Sequence, residues 1–181
     1  MSDQLEVLRL VSQHLEAAGI PYMLSGSVAM SVYAQPRMTR DIDLVVELST
    51  GDVSRFTALF AGEFYLDEET VADETRRRGM FNLIHATLIA KVDFVVRKDT
   101  PYRIEEFRRR RRLRLDDLAV WVVAPEDLIL SKLVWAKDSR SETQLNDVRN
   151  LFACVAALDD GYLDRWAGVL GVGELLLEVR S

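Results

Sequence analysis

The run Asp41-Ile42-Asp43-Leu44-Val45-Val46 constrains this chain more than any other. Its apolar residues suit a strand, and a strand sends alternate side chains to opposite faces. Asp41 and Asp43 therefore share one face. An acid set among apolar strand residues is costly unless it is paired or metal-bound. Asp93 stands in a second such run, Lys91-Val92-Asp93-Phe94-Val95-Val96. Upstream, Leu24-Ser25-Gly26-Ser27-Val28-Ala29 reads as a strand end turning through Gly26 into a helix. Glycine lets the backbone come close to a ligand, and the N–H groups at a helix start favour phosphate oxygens. Three carboxylates and a Gly-Ser turn are the parts of a site for divalent metal and a nucleoside triphosphate.

The chain has 181 residues, which predicts one domain or a domain with a small appendage. Hydrophobic residues make up 49% and charged residues 29%, enough for a proper core. No apolar run is long enough to cross a membrane, and the acidic first residues lack the basic-then-apolar order of a signal peptide. A cytoplasmic protein is the expectation. The single cysteine, Cys154, lies on an apolar helical pattern and is expected to be a small buried hydrophobe. The net charge of -6 argues against a general nucleic-acid binder. Arginine nevertheless fills positions 108 to 112 and recurs at Arg114, with a second cluster at Arg76 to Arg78. These patches could hold phosphates or be ordinary solvated faces.

Helical spacing of Leu5, Leu8, Val11, Leu15 and Ala18 predicts an opening helix, stopped by Gly19. Strands are predicted at 22–24, 41–48, 64–66, 81–85, 92–96 and 119–123. Helices are predicted at 27–34, 53–60, 104–112, 125–137, 142–157, 162–170 and 172–179, with a loop over 76–79. Pro125 at a first helical turn costs nothing. The pattern is mixed strand and helix over 1–124, the predicted core, and all helical over 125–181, a region expected to pack on that core.

Transfer of a nucleotide requires in-line attack on the α-phosphate with pyrophosphate leaving, and its obstacles are charge repulsion and positioning. Two Mg²⁺ ions (or Mn²⁺) remedy both. In that reading Asp41 and Asp43 ligate metal, and Asp93 ligates metal and helps deprotonate the acceptor hydroxyl. Gly26 and Ser27 hold the triphosphate. His14 and His85 form no metal-type spacing. Ser25, Ser27 and Ser131 have no His/Asp constellation around them. Trp121, Trp135 and Trp166 read as packing residues.

Gly26-Ser27, Asp41-x-Asp43 and Asp93 together resemble the DNA polymerase β-type nucleotidyltransferase superfamily. Within it, the spacing of Gly26-Ser27-Val28-Ala29 through Tyr33, Pro36-Arg37, Thr39 and Asp41-Ile42-Asp43-Leu44 is similar to small bacterial nucleotidyltransferases, including AbiEii- and MenT-like toxins. So are Ala124-Pro125-Glu126-Asp127 through Ser131-Lys132-Leu133, and Ser141-Glu142-x-Gln144-x-x-Asp147-Val148. The resemblance implies an α/β (α+β) nucleotidyltransferase fold with a small mixed sheet and a helical C-terminal part. It implies metal-dependent transfer of a nucleoside monophosphate, with Lys132 on the nucleotide phosphates and Asp147 near the site. Arg40 and Gln144 are secondary candidates. The usual Arg-Asp pair of the last motif is Asn146-Asp147 here. A toxin acting on tRNA or other RNA, with a cognate antitoxin protein, is the leading role. The rivals are the same chemistry on an antibiotic-type small molecule, and an idle module that binds nucleotide or protein.

Overall fold

The computed structural model describes residues 3–88 and 90–180; residues 1, 2, 89 and 181 lie outside the described residues. The chain runs α1 (Asp3–Ala17), β1 (Tyr22–Ser25), α2 (Gly26–Met30), β2 (Asp41–Val46), α3 (Val53–Phe60), β3 (Phe64–Tyr65), α4 (Glu68–Arg77), β4 (Met80–His85), β5 (Lys91–Val96), α5 (Pro101–Arg108), β6 (Arg111–Leu115), β7 (Leu118–Val122), α6 (Pro125–Ser139), α7 (Glu142–Cys154), α8 (Asp160–Leu170) and α9 (Gly173–Arg180). The seven strands form one mixed sheet in the order β3-β4-β5-β2-β1-β7-β6. β2 pairs parallel with β5, and β1 with β7; the other neighbours are antiparallel.

Alternation decides the two faces of this sheet. Ile42, Leu44 and Val46 of β2, Val92, Phe94 and Val96 of β5, and Phe81 and Leu83 of β4 are buried on one face. There Phe56 of α3 meets Phe94 and Phe81 edge-on, with ring centroids 5.3 and 5.5 Å away, and Phe81 stacks on Phe94 at 5.4 Å. Each such ring pair adds roughly 0.5–1.5 kcal/mol beyond the area it buries. The opposite face carries Asp41, Asp43, Lys91 and Asp93, and it opens to solvent at its outer strands. Asn82 is exposed there, as are Met80, Ile84 and Tyr65.

Three elements depart from the sequence expectation. α4 falls on 68–77, where Val71 and Thr75 are its only buried residues, so its apolar period is too thin to register. Asp67 caps it by accepting from the Thr70 N–H at 2.8 Å. The helix expected over 104–112 ends at Arg108, Arg109 and Arg110 connect, and Arg111 and Arg112 open β6. That strand is an edge paired with β7 through the two-residue turn Asp116-Asp117. Positive charge on an edge strand opposes pairing with another chain. The helix expected over 27–34 closes at Met30. Cys154 is exposed, because it is the last residue of α7 and that helix's buried stripe stops at Leu151. Trp135 is likewise 64% exposed rather than packed.

The arginine run is committed largely to internal partners. Arg109 bonds Asp127 at 2.9 Å and Glu126 at 2.8 Å, with its guanidinium 3.8 Å from the Tyr162 ring centroid. Arg108 pairs with Glu105, and Arg112 with Glu16. Arg110 lies over Phe107 and Trp121. The cluster thus pins the start of α6 to α5 and α8. Asp127, which is fully buried, also accepts from the Tyr162 hydroxyl at 2.6 Å.

Burial raises the Asp127 carboxyl to about 6, although Tyr162 and Arg109 pull it down. Between pH about 4 and about 6 the folded chain therefore holds a proton that the unfolded chain has released. Stability from this group is complete below about pH 4 and is lost as pH rises through about 6, by on the order of 3 kcal/mol. Urea unfolding of wild type and Asp127→Asn across this window should give a stability difference that moves in the variant's favour as pH rises. A difference independent of pH would contradict it.

Candidate active site

The parallel register of β2 and β5 sets Asp43 directly beside Asp93, and Asp41 beside Lys91. Cα partners on adjacent strands point the same way, so all four side chains share the open face. On its other side β2 pairs with β1, where Ser25 is the partner of Asp43. The chain then turns through Gly26, at φ +64°, into α2. A Cβ on Gly26 would lie 1.9 Å from Asp43 Oδ2. Glycine is required there twice over: for the left-handed backbone, and for the carboxylate pressed against its α-carbon. Ser27 follows and is buried.

The acids are not equivalent. The Lys91 ammonium lies 2.8 Å from Asp93 Oδ2 and 3.7 Å from Asp41 Oδ1. Among the described residues, Asp43 has no hydrogen-bond or ion-pair partner. Its carboxyl is raised above the ordinary value by burial first, then by the charges of Asp93 and Asp41; Lys132 and Lys91 oppose the shift. Asp43 is therefore the group with most to gain from an added cation.

Lys132, on α6, is 3% exposed. It donates to Asp147 Oδ2 at 2.6 Å and to Gln144 Oε1 at 3.2 Å, both on α7. Burial lowers its pKa, and the bond to Asp147 resists that. Arg37, from the segment before β2, donates to both Asp147 oxygens at 3.1 Å. Two cations thus share one buried carboxylate and keep a net positive charge near Asp43. The resemblance implies an arginine next to Asp147 in the chain. Position 146 holds asparagine, and the cation is supplied across the fold instead. Arg37 belongs to the Pro36-Arg37 part of the sequence motif, four places before Asp41, but sequence reasoning assigned it no role at the site. Arg40 is exposed, and among the described residues it has no ion pair with the acids.

The structure brings Asp41, Asp43, Asp93 and the Gly26-Ser27 turn together, and it gathers Lys132, Gln144 and Asp147. It keeps the arginine run apart. β6 lies three strands from β2, about 14 Å at the usual strand spacing. His14 stacks near Phe60, and the His85 ring nitrogen accepts from the Thr87 and Leu88 backbone, so both are structural. The three acids offer the hard oxygen donors that Mg²⁺ or Mn²⁺ prefers. Among the described residues, however, no group of three acids or His/Cys ligands stands ready to hold a metal ion. The Lys91 ammonium is what sits between the outer two.

No protein-family model matches the sequence, and no curated protein matches it. Solved structures do. The chain is similar to an antigenic nucleotidyltransferase-like protein from Paracoccidioides brasiliensis, with TM-score 0.56 and 18% identity, covering 84% of this chain and 75% of that one. It is similar to the lincosamide antibiotic adenylyltransferase LnuA with lincomycin bound (TM-score 0.54, 13% identity, 83% and 95% covered). It is also similar to the antibiotic-resistance factor ANT(2'')-Ia (TM-score 0.56, 13% identity, 99% and 93% covered). At these identities the likeness establishes the fold: the chain has the nucleotidyltransferase fold. Among the described residues no helix is long and apolar enough to cross a membrane.

The Gly26 approach yields a direct test. Gly19 also has φ +64° but has nothing within 4 Å of an added Cβ. Gly19→Ala should cost only the left-handed backbone penalty, about 1–2 kcal/mol. Gly26→Ala should cost more, because the Asp43 carboxylate must move as well. Denaturant unfolding of the two variants compares them, and equal losses would contradict the described packing of Asp43.

Proposed function

We propose that this chain is a nucleotidyltransferase that moves a nucleoside monophosphate from a nucleoside triphosphate to an acceptor hydroxyl, releasing pyrophosphate. The observation that carries the reading is the alignment of Asp43 with Asp93 across β2 and β5, on an open face and against the Gly26 turn. In this reading Gly26 and Ser27 receive the triphosphate, with the first N–H groups of α2 aimed at its oxygens. Lys132 and Arg37 face its charge, and Asp147 with Gln144 holds them in place before the nucleotide arrives. Asp41 and Asp43 hold Mg²⁺ or Mn²⁺, which supplies charge neutralisation at the phosphates when bound. Asp93, the cross-strand partner of Asn82, accepts the proton of the acceptor hydroxyl.

The acceptor approaches over β5 and β4, where Asn82 is flanked by exposed Met80 and Ile84. An RNA-modifying toxin neutralised by an antitoxin draws its support from the sequence resemblance. The arginine run lends that reading little, since Arg108, Arg109 and Arg112 pair internally and the run leads into β6, three strands from β2. A small-molecule acceptor is favoured by the exposed apolar residues beside Asn82 and by the antibiotic adenylyltransferases among the structural neighbours.

Purified protein incubated with Mg²⁺ and each α-labelled triphosphate, with total cellular RNA or with polyol antibiotics, tests the proposal. Label should pass to one acceptor class and depend on Mg²⁺. Asp43→Asn should lose several kcal/mol of transition-state stabilisation, about 100-fold or more in rate, while keeping its fold. Absence of transfer with every acceptor, or an active Asp43→Asn, would end the assignment.

A further inference from the structure

We infer that the Lys91 ammonium serves as the second cation of this site, so that the nucleotide complex takes up one divalent ion rather than two. The inference rests on the transferase reading above and concerns how the acids are neutralised. Lys91 and Asp93 are two residues apart on β5, so they share a face. Lys91 is also the cross-strand partner of Asp41. One ammonium thereby meets both outer acids, at 2.8 and 3.7 Å, while Asp43 between them has none. The Lys91 side chain is 37% exposed and that of Asp93 is 11% exposed, so the stem reaches over the carboxylate from the solvent side.

The ammonium limits what else can enter. It already answers Asp93 at close range, leaving Asp43 and Asp41 for the ion that accompanies the nucleotide. A second ion on Asp93 would stand beside the ammonium that already donates to that carboxylate, and the two would repel. The nucleotide brings its own ion to Asp43 and Asp41. Lys91 stays on Asp93 and presents a fixed positive charge where the acceptor oxygen develops negative charge.

The test counts Mn²⁺ bound per protein–nucleotide complex. Electron paramagnetic resonance of free Mn²⁺ is followed in the presence of a saturating non-hydrolysable triphosphate. Wild type should bind one ion per complex, Lys91→Arg one, and Lys91→Met two. Two ions in wild type would overturn the inference while leaving the transferase reading intact, and this count needs no variant to fold. One ion in both wild type and Lys91→Met would also overturn it, because the lysine would then not set the number. Failure of wild type to bind the Mn²⁺–triphosphate at all would remove the transferase reading, and the inference with it.

Discussion

The parallel pairing of β2 with β5 is the constraint on which the rest depends. A slip of one residue in that register would send Asp93 to the buried face and Phe94 to the open one. Phe94 prevents it: the ring is fully buried against Phe81 and Phe56, so the aromatic cluster below the sheet fixes which acids stand above it. The same strand alternation puts Lys91 on the acidic side. Core packing and site geometry are therefore one arrangement seen from the sheet's two faces.

Electrostatics on the open side follows from where cations are already spent. Lys91 answers Asp41 and Asp93, and Asp147 answers Lys132 and Arg37. Among the described residues Asp43 alone of the three acids has no cation bonded to it; it is pressed against Gly26 and destabilised as an anion by burial and by its neighbours. A buried charge left in that state is costly. The cost is relieved by any cation that reaches the site, and in our account it arrives with a nucleotide. The arginine run, which drew attention in the sequence, does different work: Arg109 with Asp127 and Glu126 ties α6 to its neighbours.

Much of this could be read from the chain, and the exceptions have physical causes. β2 and β5 are legible because apolar alternation broken by Asp at one parity is a strong pattern. α3 is legible to the residue, since Val53, Phe56 and Phe60 repeat at helical spacing. α4 is not, because a helix held mainly by a cap and ion pairs has no apolar period. β6 is hidden because it opens inside a run of five arginines that begins in α5, leaving only Leu113 and Leu115 to mark its period of two. Within the site, the acids were readable but their pairing was not. That Lys91 bridges two of them depends on cross-strand register, and that Arg37 meets Asp147 depends on a contact spanning 110 residues.

The central claim is that Asp43, Asp93 and the Gly26 turn form the seat of a nucleoside triphosphate. The most direct measurement is a map of backbone amide shifts in ¹⁵N-labelled protein titrated with Mg²⁺ and a non-hydrolysable triphosphate. Our account expects the largest changes at Gly26, Ser27, Asp43 and Asp93, with smaller ones at Lys132 and Asp147. Changes confined to the cleft lined by Glu6, Gln13 and His85, with Gly26 and Asp43 unmoved, would contradict it.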